Sequence, residues 1–246
     1  MFKQEKLSPL VLTFAAPYLI SSKNTSSKNI VARSGKIVKI VELNELPNVF
    51  QSPENLKGNW RSEVFENENP IIVEVGCGRG EYTLALGRMF PQNNYIGIDI
   101  KGPRLWKGAK TAYKEEMSNV AFIRTLIETI TDYFAPREVN EIWITFPDPY
   151  PRPSKTQKRL VSKRFLDLYR EILAPNGIVH FKTDNEGLFR YAMEESFREE
   201  GIEILASAYD LYKSDFMDEV TSIKTTYEGI FSAQGHIISY AKIRFV

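Results

Sequence analysis

The sequence predicts an α/β protein with a doubly wound, mostly parallel seven-stranded sheet and an antiparallel C-terminal hairpin. Three observations carry this. From residue 70, short apolar runs bounded by turn residues alternate with segments of helical period, the pattern of βαβ units. The first run empties into the glycine turn of EVGCGRG, where a chain leaving a strand enters a helix. Residues 202–246 differ: IEILASAYDLY at 202–212 and HIISYAKIRFV at 236–246 are both strand-like, with no strong helical span between them.

In chain order, strands are expected at 71–75, 95–98, 120–124, 141–146 and 178–182, then at the closing pair. Helices are expected over 80–89, 103–117, 127–134, 162–173 and 186–200, between the strands. Residues 1–55 show no sustained period and include the polar stretch SSKNTSSKN at 21–29. They are expected to form a flexible basic arm, with 56–246 as the folded domain.

A length of 246 residues suits one generous domain. The single cysteine, Cys77, excludes an internal disulfide framework, and two histidines leave no metal-ligand spacing. No metal is therefore expected. No apolar run reaches the ~18 residues of a membrane helix, and the stretch at 7–20 is broken by Pro9 and Pro17 without a signal-peptide pattern. The expectation is a cytoplasmic protein without a membrane partner, as a monomer or homodimer. The net charge of +1 hides two basic blocks. Residues 1–40 hold seven Lys/Arg against Glu5, and residues 149–164 hold six against no acid. Such blocks bind polyanions locally or merely solvate a face.

Gly76, Gly78 and Gly80 let the backbone turn sharply and approach a ligand. Asp99 ends the second strand, 19 residues after Gly80, where a carboxylate can accept both hydroxyls of a ribose. NAD and S-adenosylmethionine both carry that ribose. Glu74, beside the turn, would repel a pyrophosphate but suits an ammonium and a sulfonium, which favours S-adenosylmethionine. Cys77 reads as a small packing residue.

The substrate end begins at FPDPYPRPSKTQKRL, 146–160. Prolines 147, 149, 151 and 153 stiffen the exit of the fourth strand around Asp148, so this acid loses little entropy on meeting a ligand. Tyr150 offers a face for a base, and Arg152, Lys155, Lys158 and Arg159 supply charge for phosphates. An inert rigid turn is the plainer alternative. His180 reads as a core imidazole, His236 receives no role, and Lys182 could meet either a phosphate or an acid.

In order and spacing, EVGCGRG, GIDIKGPRLWKGA, FPDPYPRPSKTQKRL, HFKTDNEGLF and TTYEGIFSAQG closely resemble the bacterial tRNA (guanine-N7)-methyltransferases over about 70–246. The resemblance implies a Rossmann-like methyltransferase fold and methylation of the variable-loop guanine of tRNA. It implies Glu74, Gly76, Gly78, Gly80, Asp99, Thr125 and Asp148 at the cofactor, with Asp148 also catalytic. Arg152, Asp184, Thr225, Thr226, Tyr227 and Glu228 are implied at the tRNA or its guanine. Thr125 stands where many relatives have Asp or Asn, and Arg152 where they often have Lys. The alternatives are a same-fold enzyme acting on another RNA, DNA or a protein amine, and a non-catalytic RNA-binding module.

Overall fold

The computed structural model describes residues 27–51 and 55–246, with side chains from residue 35. The first 26 residues, which hold the apolar stretch at 7–20 and part of the first basic block, lie outside the described residues.

Strands β1 (Val49–Phe50), β2 (Ile71–Val75), β3 (Asn94–Ile98), β4 (Val120–Ile123), β5 (Val139–Thr145), β6 (Leu173–Thr183), β7 (Ile202–Ala208) and β8 (Ser239–Phe245) form one sheet. Its order is β1-β4-β3-β2-β5-β6-β8-β7. The strands from β1 to β6 in this order pair in parallel, while β8 runs antiparallel to both β6 and β7. The doubly wound sheet expected from sequence is present, with one strand more than expected. That strand is β1, whose two residues are too few to show a period. The chain's last strand lies inside the sheet, so β7 forms the edge.

Alternate residues of each central strand feed two cores. Ile71, Val73 and Val75 pack on one face with Phe165, Phe181 and Phe189, while Ile72 packs on the other with Tyr82, Phe122 and Trp143. Burial on both faces is why these strands read as apolar runs.

In the described residues α1 spans Ser27–Glu45, and the crossover helices are α2 (Glu81–Met89), α3 (Gly102–Lys114), α4 (Lys163–Ile172) and α5 (Glu186–Glu194). Two expected helices are shorter or tighter. Residues Ile127–Asp132 form a 3-10 segment with a kink at Thr129, whose hydroxyl bonds back to the Leu126 carbonyl, a local bond that competes with helix. After Glu194 only a 3-10 turn, Ser196–Arg198, continues. The strand expected over 202–212 stops at Ala208, and Leu211 turns inward to full burial.

Among the described residues two α-helices depart from expectation. Within the segment read as a flexible arm, α1 lies along α3. Leu43 is fully buried, and Glu42 accepts from Trp106 Nε1 at 2.9 Å and Lys110 Nζ at 2.7 Å. A helix held by its neighbour rather than by its own pattern is hard to read from sequence. The other is α6 (Thr226–Ala233), in the long β7–β8 connection. It starts at the capping-box pattern Thr225-x-x-Glu228, where the Thr225 hydroxyl accepts from the Glu228 N–H at 3.1 Å. Gly229 weakens the pattern that follows.

Among the described residues no helix is long and apolar enough to cross a membrane. His180 is buried, stacked 3.9 Å from Trp143 and bonded to the Tyr240 hydroxyl. Lys182 is also fully buried and meets an acid. Its ammonium reaches Glu228 at 2.8 Å, with Tyr212 on the same carboxylate, and donates to the Thr221 and Ile223 carbonyls at 2.6 and 3.0 Å. Burial pushes the Lys182 pKa down, and Glu228 opposes that shift.

Removing one partner of this pair leaves a buried, unpaired charge. Lys182→Met is expected to cost about 3–5 kcal/mol, measured by urea unfolding. The double variant Lys182→Met/Glu228→Leu should recover most of that loss.

Candidate active site

Three glycines shape the turn after β2. Gly76, Gly78 and Gly80 have φ of 72°, 56° and 65°, a left-handed region that favours glycine. Space is short as well, since a Cβ on Gly80 would lie 2.6 Å from the Phe122 ring. The turn is tied to β3: Gly76 N and Cys77 N both donate to the Ile98 carbonyl, at 2.9 and 3.0 Å. Asp99 completes the tie by accepting from Gly78 N at 2.9 Å and Lys101 N at 2.6 Å. Each carboxylate oxygen keeps lone-pair capacity for another donor.

Beside this turn lies a cleft of about 330 Å³. Gly76, Asp99, Thr125 and Asp148 are on its wall, together with apolar Ile100 and Leu126. Apolar Ile100, Leu126 and Ile127 with Asp99 placed to take hydroxyls fit an adenosyl group, while Glu128, Asp148, Lys101, Arg104 and Lys158 make the rest of the lining charged. Thr125 is buried, and its hydroxyl is engaged by Tyr133 and Thr129 at 3.0 and 3.1 Å.

Glu74 sits below, 3% exposed. It accepts from Thr83 N at 2.9 Å, the Thr83 hydroxyl and the Thr145 hydroxyl at 2.6 Å. Burial raises its pKa to about 7 against the pull of these bonds. It borders a small recess with Gly78, Arg104, Thr225 and Tyr227. Burial also raises the Cys77 thiol pKa well above its ordinary value, with Glu74 and Asp99 adding to the effect, so the thiol stays protonated and unreactive.

The proline loop leaves β5 in an unusual conformation. Phe146 and Tyr150 take φ of 50° and 40°, costly for bulky side chains and held only where surroundings over-determine them. The surroundings here are specific. Phe146 N donates to the Lys182 carbonyl at 2.8 Å. Arg159 donates to the Pro149 and Tyr150 carbonyls at 3.1 and 3.2 Å, with its guanidinium 4.3 Å from the Tyr191 ring centre. Arg159, read from sequence as a phosphate contact, is thus a brace of the loop. Arg152, Lys155 and Lys158 stay exposed on a 3-10 segment, Pro153–Lys158, and the residue before it.

Asp148 projects from this loop with 69% side-chain exposure, 3.9 Å from Lys101 Nζ. It lies on the wall between the first cleft and a second of about 310 Å³. Asp184, Tyr227 and Phe231 line the second cleft, and Arg104 borders both. Tyr150 borders the first cleft instead of the second, whose aromatic residues are Tyr227 and Phe231 on α6 and Phe146, which lines both clefts.

The remaining expected residues divide. Thr226 bonds Glu81 through its N–H at 2.6 Å and through its hydroxyl, stitching α6 to the start of α2. Thr225 caps α6 at the glycine turn's recess. Glu228 is fully buried with both oxygens engaged by Lys182 and Tyr212, so it holds the wall and does not face the cleft. Sequence reading missed Phe231 and Arg104. Phe231 stands four residues after Tyr227, on the same helical face, a signal visible only once α6 is known.

Because Glu74 holds its proton to higher pH when folded than its ordinary value of 4.5 allows, the folded state binds more protons over that window. This contribution to stability is full below about pH 4.5 and lost as pH rises through about 7. Glu74→Gln should remove that dependence. Wild type is expected to lose about 1 kcal/mol per pH unit relative to the variant between pH 5 and 7, by urea titration at each pH.

A family model described as "Putative methyltransferase" matches residues 68–241. Proteins named tRNA (guanine-N(7)-)-methyltransferase are similar over most of their length. That of Christiangramia forsetii is 48% identical over 80% of this chain and 86% of its own. That of Bacteroides fragilis is 45% identical over 84% of each chain, and that of Streptococcus suis is 36% identical over 80% and 91%. Among solved structures, the 16S rRNA methyltransferase KamB superposes with a TM-score of 0.57 at 15% identity, covering 75% of this chain and 91% of that one. That likeness concerns the fold. Nearly half of the aligned residues are shared with the first two of these enzymes, the family model spans the glycine turn, the proline loop and both clefts, and the chain belongs to the tRNA (guanine-N(7)-)-methyltransferase family.

Proposed function

We propose that the protein methylates N7 of a guanine in tRNA, the variable-loop guanine by family resemblance, using S-adenosylmethionine, and that it works in the cytoplasm, where tRNA is used. The observation that carries the reading is the shared wall: Asp148 borders both an adenosyl-sized cleft and a second cleft lined by aromatic rings and an acid.

In this reading Gly76, Gly78 and Gly80 let the backbone approach the cofactor, Asp99 accepts from its ribose hydroxyls, and Thr125 borders its base. Glu74, below the turn, whose pKa burial raises to about 7, is drawn toward its ionised form by the cofactor's positive end and then opposes that charge. When bound, S-adenosylmethionine supplies an electrophilic methyl group on a sulfonium.

The acceptor needs no deprotonation, because guanine N7 presents a lone pair. Tyr227 and Phe231 hold the purine by its faces. Asp184 and Asp148 accept from its N–H groups, which fixes the ring's orientation. As N7 takes on the methyl group the purine becomes cationic, and the Asp148 carboxylate stabilises that charge. Lys101, which lies near Asp148 here, must yield to the base for this contact. Thr225 and Thr226 position the wall carrying Tyr227, and Arg152, Lys155 and Lys158 meet tRNA phosphates.

Asp148→Ala is expected to abolish transfer of labelled methyl to tRNA, while thermal stabilisation by the cofactor survives at least in part. Mass spectrometry of the nucleosides should find 7-methylguanosine with wild type. A different methylated nucleoside, or methylated protein, would redirect the assignment to another acceptor. Neutralising Arg152, Lys155 and Lys158 should weaken tRNA binding and shallow the salt slope by about one for each phosphate no longer neutralised. An unchanged slope would move the tRNA surface elsewhere.

A further inference from the structure

We infer that a separate cleft beside the guanine site takes a second unstacked base of the same RNA, one bearing an exocyclic amine; this rests on the tRNA substrate proposed above. The cleft measures about 510 Å³ and is lined by Asp184, Glu186, Tyr209, His236 and Ile237. It shares Asp184 with the guanine cleft, so the two are contiguous.

A row of rings joins them. Tyr227 and Phe231 stack at 6.4 Å and 22°, and Phe231 and His236 at 5.4 Å and 29°. The backbone arranges the second stack. Gly235, with φ of 81°, reverses the chain after α6, and its N–H donates to the Ser232 carbonyl at 3.0 Å. His236 N then donates to the Phe231 carbonyl at 3.0 Å. This is a Schellman cap, in which the residue after the glycine packs on the last turn.

A cap alone accounts for the stack but not for what lies across from it. Tyr209 is 53% exposed, anchored edge-on to Phe189 at 4.9 Å, and turned to the same cleft. Ile237, 55% exposed, adds an apolar border. Asp184 lies 3.7 Å from His236 Nδ1.

The charge selects the ligand. Asp184 and Glu186 are carboxylates, and among the described residues neither Lys nor Arg lines the cleft, so a phosphate is repelled. A base fits on both counts, because its faces stack on rings and its exocyclic amine donates to a carboxylate. Stacking rings that continue from the guanine site suit a neighbouring nucleotide of the same strand.

The test is equilibrium binding of a fluorescein-labelled tRNA transcript without cofactor. His236→Ala and Tyr209→Ala should each weaken binding about tenfold, because one stacking face is gone. The slope of log Kd against log salt should stay unchanged, because every phosphate keeps its cation. His236→Tyr should restore binding to within about twofold of wild type, as a ring replaces a ring. Wild-type affinity in His236→Ala, a changed slope, or no rescue by tyrosine would overturn the inference. A wild-type protein that binds tRNA yet forms no 7-methylguanosine would fault the proposed reaction and leave the cleft standing.

Discussion

Lys182 is the residue on which both walls of the substrate cleft depend, one through its backbone carbonyl and the other through its buried ammonium. Its backbone carbonyl receives Phe146, where the proline loop begins, and its side chain holds Glu228 and the carbonyls of Thr221 and Ile223. One residue of β6 thus locates the strand exit bearing Asp148 and the helix bearing Tyr227. An apolar pair of equal volume could stabilise the fold as well. What the ion pair adds is a unique position for a long connection, much of whose apolar surface, at Phe216, Met217, Tyr227 and Ile230, stays exposed.

Strand order explains where the chemistry collects. β2 lies between β3 and β5, so the connections from β2 diverge and leave a crevice at the carboxyl ends of the strands. The glycine turn follows β2, Asp99 follows β3, Asp148 follows β5 and Asp184 follows β6. The cofactor side is built from short connections bonded to neighbouring strands, which makes it rigid. The substrate side is completed by the β7–β8 connection, which reaches back across the sheet to Glu81.

Positive charge is divided by geometry. Arg159 commits its guanidinium to loop carbonyls and Tyr191, and Lys163 pairs with Asp167 and Glu199. Arg152, Lys155 and Lys158 stay on the exposed face. A run of like charges therefore contains braces as well as contacts, and only the positions of the carbonyls and acids around them tell which is which. The strain at Phe146 and Tyr150 belongs to the same device. Arg159 and the Lys182 carbonyl are what hold two bulky residues at positive φ.

Features that depend on neighbours along the chain were legible in the sequence. Apolar runs buried on both faces marked the central strands, three glycines marked the turn that needs positive φ, and prolines marked a stiff exit around Asp148. Their order along the chain was enough for seven of the eight strands, and the family came from the resemblance of five motifs spread over 70–246. Features that depend on distant partners emerged only on folding: α1 is held by α3, β1 by β4, and Lys182 by Glu228. Folding also turned Tyr150 toward one cleft while Tyr227 and Phe231 lined the other, because long-range contacts set which way a side chain faces.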